Sequence, residues 1–127
     1  MNRDRLEPSS TSDFGLVLEK LLQLVANGKW SEVENRNARH LIEEYGVRPG
    51  TAVRVLACLK NLQIVHTDKP RDNNPRLIEG SVDSARQLLE KYYKNEIRSL
   101  CKRVLGLQNG QTLLREIIEE VLTDTKK

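Results

Sequence analysis

Apolar residues recur at helical spacing along most of this chain, and short strand-like runs interrupt that spacing in only two places. Between residues 38 and 64, Ala38, Leu41, Ile42 and Tyr45 form one stripe, and Ala52, Val55, Leu56, Leu59 and Leu62 form a second. Each has the spacing of one face of an α-helix. Gly46 ends the first helix, Val47 follows as a buried turn residue, and Arg48 precedes a proline that disfavours helical backbone before it. Pro49 suits the first turn of a new helix, where a missing N–H costs nothing. Two stripes meeting across so short a turn describe a helix-turn-helix, and the rest of the chain is arranged around it.

Upstream, residues 1–12 are polar, contain Pro8 and show no periodicity, so a mobile N-terminal tail is expected there, with Arg3 and Arg5 able to touch a polyanion. Asp13 is placed to cap a first helix carrying Phe14, Leu16, Val17, Leu18, Leu21, Leu22, Leu24 and Val25 up to a stop at Asn27 and Gly28. Apolar over more than half its circumference, that helix should be buried on more than one side. Ser31 and Glu34 fit a capping box, which predicts a second helix starting at Glu32. Trp30 then packs on the core at the helix entrance, with ligand stacking as the alternative.

Downstream, residues 64–67 have the β-branched content of a short strand, and residues 76–79 offer a second. Between them lies Asp68-Lys69-Pro70-Arg71-Asp72-Asn73-Asn74-Pro75, a polar turn sequence. A strand, a basic loop and a returning strand directly after the second helix of a helix-turn-helix make a wing. After Gly80, Ser81 is placed to cap a helix of about 24 residues, whose stripe runs from Val82 to Leu105 and whose other face carries Arg86, Lys91, Lys94, Arg98, Lys102 and Arg103. A break at residues 106–110 precedes a last helix over about 111–122, with Leu113-Leu114, Ile117-Ile118 and Val121-Leu122 on its apolar side.

Composition narrows the class. At 127 residues, 38% apolar and 31% charged, the chain has the make-up of one soluble, helix-rich domain with an aliphatic core. Its apolar runs fall short of the roughly 18 to 20 residues of a membrane span, and the N-terminus lacks a signal peptide's apolar block, so a cytoplasmic location is expected. Cys58 and Cys101 lie in or beside helical stripes and not in a paired spacing, and read as reduced, buried or half-buried thiols. The net charge of +3 decides little. Its distribution says more, because Arg48, Arg54, Lys60, Lys69, Arg71 and Arg76 oppose only Asp68 and Asp72, a local charge of +4.

The segment Tyr45-Gly46-Val47-Arg48-Pro49-Gly50-Thr51 resembles the turn and recognition-helix start of prokaryotic winged helix-turn-helix regulators. These often read Gly-Val-Ser-x-x-Thr-Val followed by apolar residues three, four and seven positions on. Ala52 takes the place of the usual buried valine, and Val55, Leu56 and Leu59 fall where the next core residues belong. The resemblance covers residues 30–79, under half the chain, and singles out no subfamily. It implies a mainly α (α+β) fold: a winged helix-turn-helix with a small β-hairpin wing over residues 13–80, and two C-terminal helices in an extension over 81–127.

It also implies sequence-specific binding to double-stranded DNA and a role in transcriptional regulation, at the nucleoid. A recognition helix enters the major groove with its N-terminal residues nearest the base edges, which here are Arg48, Gly50, Thr51 and Arg54. Arg54 suits base contact, since a guanidinium can donate two hydrogen bonds to guanine; Thr51 would cap the helix or bind phosphate. Lys69, Arg71 and Arg76 on the wing would follow the backbone or enter the minor groove. The outward face of the recognition helix also includes Val53, Ala57 and Cys58, an unusually apolar surface that suits either thymine methyls or a protein partner. A winged-helix protein-interaction module without DNA is therefore the alternative of another class. A plasmid or phage segregation or replication adaptor is the alternative within DNA binding.

The stripes of the last two helices exceed what a domain of this size needs for its own core, so a homodimer through the C-terminal helices is expected. The other possibility is that the last helix folds back on the same subunit. No nucleophile, base and orienting group fall in a recognisable motif, and there is no P-loop, glycine fingerprint or HExxH, so no catalytic residue, cofactor or metal is expected. His40 and His66 have no second ligand at metal spacing. His40 reads as a boundary residue of its helix, and His66 as a polar strand end able to meet a phosphate.

Overall fold

The computed structural model describes residues 12–30, 37–67 and 75–125. Among these residues the elements follow in the order α1 (Asp13–Ala26), α2 (Ala38–Tyr45), α3 (Pro49–Asn61), β1 (Val65–His66), β2 (Arg76–Leu77), α4 (Ser81–Leu105) and α5 (Gly110–Thr125). The chain divides into two compact units, Met1–Glu90 and Lys91–Lys127, and α4 runs through the division.

In the first unit, α1 begins at Ser12, whose hydroxyl accepts the Gly15 N–H at 3.0 Å and so satisfies one of the donors a helix start leaves without a partner. The cap is thus Ser12 and not Asp13, which lies in the first turn with its charge against the positive end of the helix dipole. The helix stops where expected. Gly28 takes φ +69 while the Lys29 N–H reaches the Leu24 carbonyl at 2.8 Å and the Gly28 N–H reaches Val25 at 3.1 Å, a closure that glycine accepts without a Cβ clash. Phe14, Val17, Leu18, Leu21, Leu22 and Val25 are buried, and α1 packs on α3. Trp30 is buried, in keeping with a core role.

That next helix starts later than the sequence pattern predicts. Asn37 has extended backbone, and its side chain accepts the His40 N–H at 2.9 Å, so α2 begins at Ala38 and not at Glu32. The capping box at Ser31 and Glu34 lies outside the described residues. Gly46 closes α2 at φ +66 with its N–H on the Ile42 carbonyl at 2.9 Å. Val47 is buried in the turn, and α3 restarts with Arg48 as the cap residue and Pro49 just inside. Both α1 and α2 pack on α3, which completes the helix-turn-helix.

α3 leaves through an unusual residue. Gln63 takes φ +60, the Ile64 N–H meets the Leu59 carbonyl at 2.9 Å and the Gln63 N–H meets Lys60 at 3.0 Å. This turn drives Ile64 and Val65 into the core. β1 and β2 then pair antiparallel with Val65 opposite Leu77 and His66 opposite Arg76, and the Ile78 N–H extends the ladder to the Ile64 carbonyl at 3.0 Å. The connecting loop, including Lys69 and Arg71, lies outside the described residues, as do Arg3 and Arg5 of the expected tail. The start of α4 closes the unit with Ser81, Ala85 and Leu89 buried at four-residue spacing. Ser81 is already inside that helix, because the Ser84 N–H bonds the Gly80 carbonyl at 3.1 Å and puts Gly80 at the cap. A helix-turn-helix followed by a small antiparallel hairpin within a mainly helical chain is the winged helix-turn-helix architecture.

In the second unit, the remainder of α4 and all of α5 meet at a turn over residues 106–109. A Cβ at Gly110 would lie 2.0 Å from the Val104 carbonyl oxygen, so only glycine lets the backbone of α5 rest on the last turn of α4. Away from that junction several large apolar residues of both helices are exposed. Ile97 and Leu100 are 61% and 54% exposed, and Ile117 and Val121 are 42% and 56% exposed.

Candidate nucleic-acid interface

α3 presents two different faces. Inward it buries Ala52, Val55, Cys58 and Leu59, while Leu56 is half-buried. Outward it exposes Gly50, Val53, Arg54, Ala57, Lys60 and Asn61, positions that recur every three or four residues and therefore share one side. The expected outward trio of Val53, Ala57 and Cys58 is corrected at its third member. Cys58 is 1% exposed and belongs to the core, where burial pushes its thiol up to about 11. Cys101 is half-buried, and both thiols are free.

The residues singled out for DNA occupy the start of this helix and the hairpin after it. Arg48 is exposed at the N-cap, and its side chain makes no cap hydrogen bond. Gly50 is exposed with open space where a Cβ would stand. Thr51 is half-buried in the first turn and does not cap the helix, since the Ala52 N–H bonds the Arg48 carbonyl at 3.0 Å. Arg54 lies over the ring of Phe14, its guanidinium carbon 5.1 Å from the centroid. That cation–π contact holds the guanidinium against the start of α1. Arg76 is exposed on β2 opposite His66, which is also exposed.

Arg48, Gly50 and Arg54 thus gather on the exposed start of α3, Thr51 sits at its edge, and Arg76 stands on the following hairpin. Lys60 extends the outward face at the far end, a position readable from the helical period alone. The stack of Arg54 on Phe14 joins residues 40 apart in sequence and leaves no local signal.

Other polar groups have structural partners. His40 shares a 2.5 Å contact with Glu44 one turn on, on the surface of α2. Lys20 of α1 lies 5.7 Å from the centroid of the Tyr45 ring, beside a depression of about 150 Å³ that also borders the Gly46 turn. That volume is below the several hundred cubic ångströms of small-molecule sites. Among the described residues no cluster of His, Cys, Asp and Glu has metal-binding geometry, and no helix is long and apolar enough to cross a membrane.

No family model and no curated protein sequence matches the chain. Among solved structures, it is similar to a GntR family transcriptional regulator from Listeria monocytogenes, with a TM-score of 0.60 and 14% identity over 87% of this chain and 96% of that one. What the two share at that identity is the fold.

Proposed function

We propose that this protein is a dimeric, sequence-specific DNA-binding protein acting in transcriptional regulation. The observation that carries the proposal is the exposed start of α3, with Arg48 and Arg54 beside an open Gly50, followed by a hairpin bearing Arg76. α3 enters the major groove, Arg48 and Arg54 reach phosphates or base edges from its first turns, and Lys69, Arg71 and Arg76 follow the backbone from the wing. Similarity to a solved transcriptional regulator supports this use of the fold. The uncovered stripes of α4 and α5 support a homodimer, since apolar surface of that extent is costly to leave in water. Such a protein works in the cytoplasm, at the nucleoid.

Duplex binding tests the proposal. Affinity is expected to fall steeply from low to moderate salt, with a log–log slope of about 0.9 for each phosphate contacted. Replacing Arg54 and Arg71 together by alanine is expected to abolish binding while the fold survives, as circular dichroism would report. Binding that ignores both salt and these substitutions would sink the proposal.

A second reading is favoured by the exposure of Val53 and Ala57, which suits a protein partner on the same helix. It is separated by the salt titration, because a protein-interaction module shows no salt-dependent duplex binding. A segregation or replication adaptor would bind the same way but on arrays of repeated sites.

A further inference from the structure

The outward ridge of α3 is poor in hydrogen-bonding side chains where a base-reading helix usually carries them. Gly50 has no side chain, Arg54 is stacked on Phe14, and the next polar group along the ridge is Lys60. Between these stand Val53 and Ala57. Val53 is 57% exposed, well above the 39% of Leu16, the other large aliphatic exposed in the first unit among the described residues. A β-branched side chain in a helix holds nearly one rotamer, so the two Val53 methyls point outward in a fixed direction. Resting on the DNA-binding reading above, we propose that Val53 and Ala57 are specificity-determining residues that read thymine by packing on its C5-methyl group.

The major groove offers one apolar feature, and it is that methyl. Val53 and Ala57 lie one turn apart, a rise of about 6 Å, close to two base steps of about 3.4 Å. A helix lying along the groove therefore meets two thymines spaced by about two base pairs in each half-site. The charges fit the same occupant, because Arg48 before this pair and Lys60 after it stand where the flanking phosphates pass. The bases recognised are then chosen by shape and methyl contact, with hydrogen bonding left to Arg48 and Arg54.

The test uses the whole protein and duplexes recovered by selection from random DNA. In each, thymines are replaced one at a time by deoxyuridine, which deletes the methyl and keeps every hydrogen-bonding group. Loss of one contacted methyl is expected to weaken binding about 4-fold, at two positions per half-site, while uracil outside the motif has no effect. Val53→Ala, an exposed change to a better helix former, is expected to lose the discrimination at one of these positions and to keep salt-dependent binding. Equal affinity for thymine and uracil duplexes, with binding otherwise intact, would overturn the thymine reading and leave DNA binding standing. Failure to bind any duplex at low salt would overturn both, and would leave Val53 and Ala57 as a surface for a protein partner.

Discussion

Cys58 and Leu56 flank the stripe of Ala52, Val55 and Leu59 on opposite sides, and periodicity cannot say which flank turns inward. The structure turns Cys58 in and leaves Leu56 half-exposed, because both α1 and α2 pack against α3. A measurable consequence follows from the buried thiol. Its folded value of about 11 lies above the ordinary 9.0, so the neutral form is favoured. Its contribution to stability is complete below about pH 9 and is lost as pH rises through about 11. Denaturation midpoints are expected to fall more over that window in the native protein than in Cys58→Ala. In a Cys101→Ser background, Cys58 is expected to resist thiol reagents until the chain unfolds. Gln63 was equally illegible, since nothing marks a glutamine for left-handed backbone. Glycine removes that strain, so Gln63→Gly is expected to raise stability by about 1 kcal/mol in urea unfolding.

At the scale of elements, sequence pattern placed α1, α3, the hairpin and α4 closely, because each begins or ends at a residue with a strong local preference. Gly28 and Pro49 are the clearest cases, and Gly46 marked the end of α2 in the same way. The start of α2 was misread since two capping signals compete, and Asn37, which bonds the His40 N–H, is the nearer one to the stripe of Leu41 and Ile42. Of the candidate site, the resemblance at the turn singled out Arg48, Gly50, Thr51 and Arg54, and the exposure of Arg48, Gly50 and Arg54 at the start of α3 agrees with it, whereas the contact of Arg54 with Phe14 needs the fold. The hairpin's register was not readable either, since strands of two residues carry too short a pattern to fix their pairing.

For the whole molecule, the stripes of α4 and α5 pose the question that a single chain leaves open: what covers Ile97, Leu100, Ile117 and Val121. A second copy is the proposed answer, and the periodicity pointed to it before the fold showed these residues uncovered. Ile117→Glu with Val121→Glu is expected to shift sedimentation at micromolar concentration from dimer to monomer, with the helical content of the first unit retained. A clean monomer of the native protein would remove the dimer from the account. Because a twofold dimer presents two α3 helices, the central claim is tested most directly by selecting bound sequences from random duplex DNA. The expected result is a recovered motif of two related half-sites, centred about 10 base pairs or a multiple of it apart and rich in thymine. Recovery of unrelated sequences, or of none above background at low salt, would contradict it.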